Sequence, residues 1–185
     1  MKTKCLSALL TLGVVSLAFP VLASSSTSDP QLSFACEISE GVPATIAQSE
    51  ASDARLPVFL WKSEALASKS GDSPEQLCNI VSEKLDSYSA EGYDLSSINF
   101  VGTEEGGLPV ICANVGGTGC SKILLTLRKT AEPATVASDV VDAILAKNLQ
   151  SKKTEVVARG VQSISYEINF LSLLFEGLRP KFWEK

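Results

Sequence analysis

The placement of the cysteines is the feature of this sequence that most constrains its fold. The chain has 185 residues and carries cysteine at five positions, which are Cys5, Cys36, Cys78, Cys112 and Cys120. Cys5 lies in an N-terminal leader, and the four that remain favour two disulfides in an exported protein, because their number is even. None of these four has the C-x₂₋₄-C spacing of a zinc site or the C-x-x-C spacing of a thioredoxin-like centre. We therefore predict that the cysteines form crosslinks and do not bind metal.

The N-terminal leader has the three regions of a secretory signal peptide. Lys2 and Lys4 supply a positive start, an almost entirely apolar run covers residues 6–22, and small residues precede a cleavage position after Ala23. The apolar run of about 17 residues is short for a ~30 Å hydrocarbon core, so a membrane anchor is the less favoured alternative. The sequence thus predicts a signal peptide over residues 1–23. It predicts export to the periplasm, the thylakoid lumen or the extracellular medium, with peripheral membrane attachment as an option.

A glycine-rich turn indicates how two of the cysteines pair. Residues 108–115 before this turn are apolar and β-branched, and the residues from Ile123 onward alternate as a strand does. Folding the chain about Gly116 places Cys112 opposite Cys120. Opposed residues of a non-hydrogen-bonded antiparallel pair lie ~4.5 Å apart, within reach of a disulfide. We therefore predict a hairpin closed by Cys112 and Cys120.

The second pair, Cys36 with Cys78, follows by elimination and agrees with a helical pattern. Ser73, Pro74 and Gln76 supply an N-cap, a proline at the first helical position and a capping-box partner. In the helix that begins there, Cys78 lies at the edge of the apolar stripe, so it can face a strand that carries Cys36. Four cysteines allow three pairings, and the sequence leaves the other two open.

The remaining patterns predict an α+β fold. Strand-like runs occur near residues 34–38, 56–61, 98–101, 108–115, 123–127 and 163–170, and helical runs begin at Pro74 and cover 135–149. Strands and helices do not alternate regularly, and one hairpin is antiparallel. We therefore predict an antiparallel sheet with two main helices packed on one face, two disulfides, and a C-terminal strand and short helix.

The same patterns divide the chain into four parts. The signal peptide of residues 1–23 is followed by a disordered, serine-rich linker over residues 24–33. A disulfide-stapled α+β domain is predicted over 34–150. A C-terminal extension over 151–185 contains the last strand and a short amphipathic helix.

Net charge and the absence of histidine exclude several functions. Removing the leader takes away two lysines and leaves 14 basic and 21 acidic residues, a net charge of −7. An acidic chain without a basic stripe does not attract phosphate backbones, so we predict no nucleic-acid binding. The lack of histidine removes the usual zinc ligand and the usual general base. We predict no catalytic, cofactor-binding or metal-binding residue, and the oligomeric state is left open.

The C-terminal segment is the candidate contact surface for a membrane or a partner protein. It combines apolar residues at helical spacing with basic residues and a tryptophan, a composition suited to a membrane interface. The candidate residues are Leu171, Leu174, Phe175, Leu178, Arg179, Lys181, Phe182 and Trp183. The alternative is that this short helix packs back onto the sheet.

Three other interpretations involve different side chains. An enzyme that uses loop carboxylates would draw on acidic residues at predicted loops, which are Asp53, Asp72, Asp94, Glu104 and Glu105. A thiol-redox protein would need a strained or exposed disulfide. Trp61, followed by a polar triplet, could mark a binding surface, although a buried tryptophan at a strand end is the favoured interpretation. The favoured function is a non-catalytic exported domain that binds a protein partner or a membrane surface.

Six short motifs occur in order around the cysteines. They are Phe34-Ala35-Cys36, Gly41 to Thr45, Trp61 to Glu64, Pro74 to Ser82 with Cys78, Pro109 to Cys112, and Cys120 followed by Leu124 to Leu127. This set, which covers roughly Phe34 to Leu149, resembles the cyanobacterial circadian-oscillating protein family of small exported domains. One departure is Leu77, where that family usually has arginine. The resemblance implies a cyanobacterial source, export and membrane-peripheral attachment, and it implies no reaction.

Overall fold

A three-stranded antiparallel sheet forms the N-terminal part of the fold. The structure, a computed structural model, describes residues 32–49, 53–116, 119–158 and 161–175. The strands of this sheet lie in the order β1 (Leu32–Ser39), β2 (Val42–Ser49) and β3 (Arg55–Leu60). Strand β1 begins at Leu32, so the last two residues of the predicted linker belong to the sheet. The predicted signal peptide and the rest of the linker lie outside the described residues.

A five-stranded antiparallel sheet forms the second layer of strands. Its spatial order is β6-β5-β4-β8-β7, with β4 (Ser97–Glu105), β5 (Leu108–Asn114), β6 (Lys122–Thr126), β7 (Lys153–Ala158) and β8 (Val161–Asn169). Strand β8 pairs with β4, with Ile98 opposite Ile168, and so lies in the interior of the sheet. The segment predicted as a C-terminal extension therefore supplies two strands of the main sheet. Local sequence patterns indicate the strand β8. They do not indicate that it pairs with β4, because β4 is distant in the chain.

Four α-helices lie within the described residues. They are α1 (Ser63–Leu66), α2 (Pro74–Ala90), α3 (Pro133–Ile144) and α4 (Phe170–Phe175), and a 3₁₀ helix covers Lys147–Lys152. The predicted start of α2 is confirmed, since Ser73 Oγ accepts from the Gln76 backbone N–H at 3.3 Å and Gln76 Oε1 accepts from the Ser73 backbone N–H at 2.9 Å. This reciprocal capping satisfies backbone donors that the first turn of a helix leaves unpaired.

Helix α2 packs mainly on the three-stranded sheet, and helix α3 packs on the five-stranded sheet. Helix α2 packs on β1, β2 and β6, and helix α3 packs on β4, β5 and β8. The two sheets meet through aromatic side chains, because the ring centroids of Phe59 in β3 and Phe100 in β4 lie 4.7 Å apart. The predicted α+β class with antiparallel strands, two main helices and two disulfides is confirmed, and the strands form two sheets that share a core.

The close packing of α3 on β4 depends on Gly102. A Cβ atom at this position would lie 2.6 Å from the backbone oxygen of Ala137 and 2.7 Å from Cα of Ser138. Ser138 Oγ also donates a hydrogen bond to the Gly102 carbonyl oxygen at 3.2 Å. Because the atoms in the way are backbone atoms of a packed helix, they cannot move aside cheaply.

We therefore expect Gly102→Ala to lower the free energy of unfolding by about 1–3 kcal/mol, the usual effect of overpacking a core. Equilibrium urea unfolding measures this change. Gly71→Ala is the matched control, since its Cβ would make an ordinary 3.7 Å contact with the Arg128 side chain. Equal midpoints for the two variants would contradict this account of the α3–β4 contact.

Candidate functional site

Two disulfides link the elements that surround the candidate site. The Cys36–Cys78 bond joins β1 to α2 with the Cα atoms 5.5 Å apart, and the Cys112–Cys120 bond closes the turn after β5 with the Cα atoms 5.3 Å apart. These are the two pairs that the sequence predicts. Disulfides persist in oxidising surroundings, so the bonds indicate a non-reducing environment for the folded chain.

The register of the cysteine hairpin differs from the prediction, although the bond itself agrees with it. Cys112 lies opposite Ile123, and Ala113 lies opposite Lys122, with a register shift between Ile111 and Cys112. Cys120 precedes β6 and is not part of the ladder. The symmetry argument about Gly116 was wrong because the turn is longer than a tight hairpin and the ladder contains an irregularity.

Trp61 belongs to the core and not to a binding surface. Its side chain is 1% exposed, and its indole Nε1 donates a hydrogen bond to Thr45 Oγ1 at 3.0 Å. Ser82 Oγ donates to the same oxygen at 3.1 Å. Thr45 lies opposite Cys36 in the β1–β2 ladder, so these motif residues surround the Cys36–Cys78 bond. They stabilise the fold, as the favoured interpretation of Trp61 predicts.

The acidic residues weighed for catalysis form no cluster of three or more within the described part of the chain. Asp53, Asp72 and Asp94 are exposed, while Glu104 and Glu105 end strand β4 and do not lie in a loop. Hydrogen bonds from the Ser96 side chain and backbone lower the pKa of Asp94. Within the described ranges, no group of three or more Cys, Asp or Glu side chains is arranged to hold a metal ion.

Helix α4 packs against the domain, and this changes the interpretation of the C-terminal contact surface. Leu174 is 4% exposed and lies in the core, Leu171 is half-buried, and the Phe170 ring packs edge-on against Phe34 at 5.7 Å. Leu174 is therefore not free to contact a membrane or a partner. The prediction that it belongs to the contact surface was wrong. The Phe175 side chain and the other predicted contacts lie outside the described residues, and these are Leu178, Arg179, Lys181, Phe182 and Trp183.

A cavity of about 200 Å³ lies where the end of α2 meets the cysteine hairpin. Two tyrosines and a lysine form part of its wall, and we call it the tyrosine–lysine groove. Its lining residues are Tyr88, Tyr93, Leu95, Ala113, Val115, Ser121 and Lys122. They come from α2, the loop after it, β5, the hairpin turn and β6.

The end of helix α2 positions the two tyrosines. Gly92 adopts a φ of +85°, a left-handed conformation that glycine adopts without steric cost, and it turns the chain just after the helix. The Tyr93 backbone N–H then donates to the Tyr88 carbonyl oxygen at 3.1 Å. As a result the two rings meet edge to face, with their centroids 6.3 Å apart. Tyr93 remains 43% exposed.

Lys122 brings a positive charge to the two rings. Its Nζ atom lies 4.9 Å from the centroid of Tyr88 and 4.6 Å from that of Tyr93, within the range of cation–π attraction. The Glu91 carboxylate lies 3.5 Å from the same nitrogen. A hydrogen bond with Tyr93 is the main cause that raises the pKa of Lys122, so the ammonium is charged at neutral pH. Burial raises the pKa of Tyr88, so this hydroxyl keeps its proton.

Hydrogen bonds and the second disulfide hold the hairpin wall of the groove. Asn114 Nδ2 donates to the Gly119 carbonyl oxygen at 3.1 Å, and Ser121 Oγ donates to Asn114 Oδ1 at 2.6 Å. On the other side, Lys84 Nζ of α2 donates to the Leu124 carbonyl oxygen at 2.8 Å. These bonds fix the turn on which Ser121 and Lys122 are placed.

Sequence reasoning did not identify the tyrosine–lysine groove. Tyr88, Tyr93 and Lys122 are not among the candidate contact residues that the sequence predicts. Tyr88 and Tyr93 flank Gly92, the glycine that follows helix α2. This pair of tyrosines at a helix end could have indicated a candidate site from the sequence alone. Lys122 carries no such signal, because it reaches the tyrosines only through the pairing of β5 with β6.

Comparison with known proteins identifies one family. A family model described as "Circadian oscillating protein COP23" matches residues 33–174. The match extends beyond Leu149, where the sequence resemblance ended, and includes β7, β8 and most of α4. Neither the curated proteins nor the solved structures contain a match. Among the described residues, no helix has the length and apolar character needed to span a membrane.

Proposed function

Because the chain belongs to the circadian oscillating protein COP23 family, whose name records a rhythm and not a reaction, we propose that it is an exported, non-catalytic domain that binds a partner protein through the tyrosine–lysine groove. The observation that carries this proposal is the exposure of Tyr93 beside a cavity and a charged lysine. Tyrosine is enriched in protein interfaces, since its ring buries a large apolar area and its hydroxyl still forms hydrogen bonds.

The rigidity of the groove supports a binding role. A tyrosine has few rotatable bonds, so ordering it at an interface costs little conformational entropy. Tyr88 stands on a capped helix, and Lys122 follows a turn that the Cys112–Cys120 bond closes. A surface that is already ordered before binding keeps more of its interaction energy as affinity.

The proposed location outside the cytosol is supported by two independent features. The N-terminal leader has the pattern of a secretory signal peptide, and the folded domain contains two disulfides. The partner would therefore be met in the periplasm, the thylakoid lumen or the medium. We prefer a protein partner to a membrane surface, because Leu174 of the candidate membrane helix is buried in the core.

Affinity capture from native cells tests the proposal. The full chain is expressed with an affinity tag as the wild type, Tyr93→Ala, Lys122→Ala and the control Ile38→Ala, which removes an exposed apolar side chain outside the groove. We expect the wild type and the control to recover the same specific protein. Tyr93→Ala should recover at least about tenfold less, because tyrosine is enriched among the interface residues whose truncation costs ~2 kcal/mol or more, and ~1.4 kcal/mol already corresponds to tenfold.

Two outcomes would contradict the proposal. Equal recovery of the specific protein by all four chains would place its binding site elsewhere on the molecule. Sedimentation with vesicles made from native lipids, equal for the wild type and Tyr93→Ala and without any recovered protein, would assign the molecule to a membrane surface. Urea unfolding of each variant checks that a lost interaction is not caused by a lost fold.

A further inference from the structure

We infer, on the basis of the proposed function, that the tyrosine–lysine groove binds the C-terminal residue of the partner protein. In this arrangement the apolar side chain of that residue enters the cavity, and its chain-terminal carboxylate pairs with Lys122. The class of ligand is thus a peptide with a free carboxylate on an apolar last residue.

The ammonium of Lys122 can exchange its present carboxylate partner for the carboxylate of a ligand. Its present partner, Glu91, lies 3.5 Å away, and the two side chains are 33% and 53% exposed respectively. An exposed ion pair of this kind contributes only ~0–1 kcal/mol, so replacing Glu91 by a ligand carboxylate costs little. An ammonium offers three donors, and Lys122 can bind a ligand carboxylate while it stays 4.6 Å from the centroid of the Tyr93 ring.

The surroundings of the groove are less negative than the rest of this acidic molecule. The whole chain has a net charge of −5, so its average surface repels carboxylates. Next to the groove, however, Lys84 lies one helical turn before Tyr88 and binds the carbonyl oxygens of Ile123 and Leu124. Lys84 and Lys122 therefore offset Glu91 and the exposed Asp94, which lies between Tyr93 and Leu95, so a carboxylate meets less repulsion here than on the average surface.

The size of the cavity limits the apolar part of the ligand to one side chain. Sites for drug-sized ligands have volumes of about 300–1,000 Å³, whereas this cavity has about 200 Å³. Its apolar wall comes from Leu95 and Ala113, which are buried, and from Val115, which is half-buried. One leucine-sized or phenylalanine-sized side chain matches this wall and volume.

Ala113 of the apolar wall lies directly opposite Lys122 in the β5–β6 ladder, and this placement favours a terminal residue over an internal acidic one. In a terminal residue the carboxylate and the side chain branch from the same Cα atom. In an internal Leu-Asp or Leu-Glu sequence the two groups start from Cα atoms ~3.8 Å apart, and in an extended chain they point to opposite faces. Capture of a terminal carboxylate is also an established mode of peptide recognition.

An NMR titration with two matched peptides tests the inference. The ¹⁵N-labelled protein, produced from its full coding sequence with both disulfides formed, is titrated with N-acetyl-Gly-Gly-Leu as the free acid and as the C-terminal amide. We expect the free acid to shift the amide signals of residues 88–95 and 113–122, and the amide form to bind at least about tenfold more weakly. Lys122→Gln should remove the difference between the two peptides, and Lys147→Gln, an exposed lysine outside the groove, should keep it.

A failure of this inference can be distinguished from a failure of the proposed function. Equal binding of the acid and the amide, or no shift with either peptide up to 10 mM, would overturn the inference about the carboxylate. Affinity capture that depends on Tyr93 would still support a partner at the groove in either case. A preference for the acid that persists in Lys122→Gln would also overturn it, and unfolding curves show whether that variant keeps its fold.

Discussion

Replacing the Cys36–Cys78 bond by Cys36→Ala/Cys78→Ala is expected to lower the free energy of unfolding by about 4 kcal/mol. The bond closes a separation of 42 residues, and its loss returns conformational entropy to the unfolded chain. Typical domains have a total stability of about 5–15 kcal/mol, so this single change removes a large share. Equilibrium urea unfolding of the wild type and the variant under oxidising conditions measures the difference.

The second disulfide supplies the matched control for this prediction. Cys112→Ala/Cys120→Ala opens a separation of only 8 residues, for which the same estimate gives about 2.5 kcal/mol. We therefore expect Cys36→Ala/Cys78→Ala to have a lower free energy of unfolding than Cys112→Ala/Cys120→Ala. A reversed ranking would show that the cost of closing the loop does not decide the contribution of each bond in this fold.

Trp61→Ala is expected to destabilise the protein by about 3–5 kcal/mol, the range seen when a large aromatic side chain is removed from a core. The indole is 1% exposed, its ring centroid lies 5.6 Å from that of Phe59, and its Nε1 donates to Thr45 Oγ1. The substitution therefore leaves a cavity and removes a buried hydrogen bond. The shift of the urea midpoint, with an unchanged slope, gives the magnitude.

Tyr93→Ala is the control for Trp61→Ala, because Tyr93 is 43% exposed. We expect a loss of less than about 1 kcal/mol for this variant, since substitutions of exposed side chains are usually small in effect. A loss for Trp61→Ala no larger than that for Tyr93→Ala would contradict the assignment of Trp61 to the core. It would also reopen the interpretation of Trp61 as part of a binding surface.

The features that could be predicted from the sequence are those decided by neighbouring residues. The start of α2 follows from Ser73, Pro74 and Gln76, whose capping interactions are complete within one helical turn. The Cys112–Cys120 bond also follows from local sequence, since 8 residues and a glycine-rich turn keep the two cysteines close. The longer Cys36–Cys78 bond was predicted by elimination, with the helical position of Cys78 in agreement.

The features that could not be predicted depend on the pairing of distant segments. The alternation of residues 163–170 indicates a strand, but only tertiary pairing places β8 between β4 and β7. Lys122 likewise reaches the tyrosines through the β5–β6 ladder. The register of this ladder includes an irregularity that local sequence patterns do not predict. The candidate site is built from such long-range contacts, so the sequence pointed instead to the C-terminal helix, where Leu174 turned out to be in the core.

We propose that two disulfides crosslink this domain in a compartment outside the cytosol and so hold the tyrosine–lysine groove in place. The most direct test is to trap free thiols by alkylation in intact native cells, isolate the protein and map its peptides without reduction. We expect peptides that join Cys36 to Cys78 and Cys112 to Cys120, with little alkylation at any of the four. Recovery of all four cysteines as alkylated thiols, or of a different pairing, would contradict it.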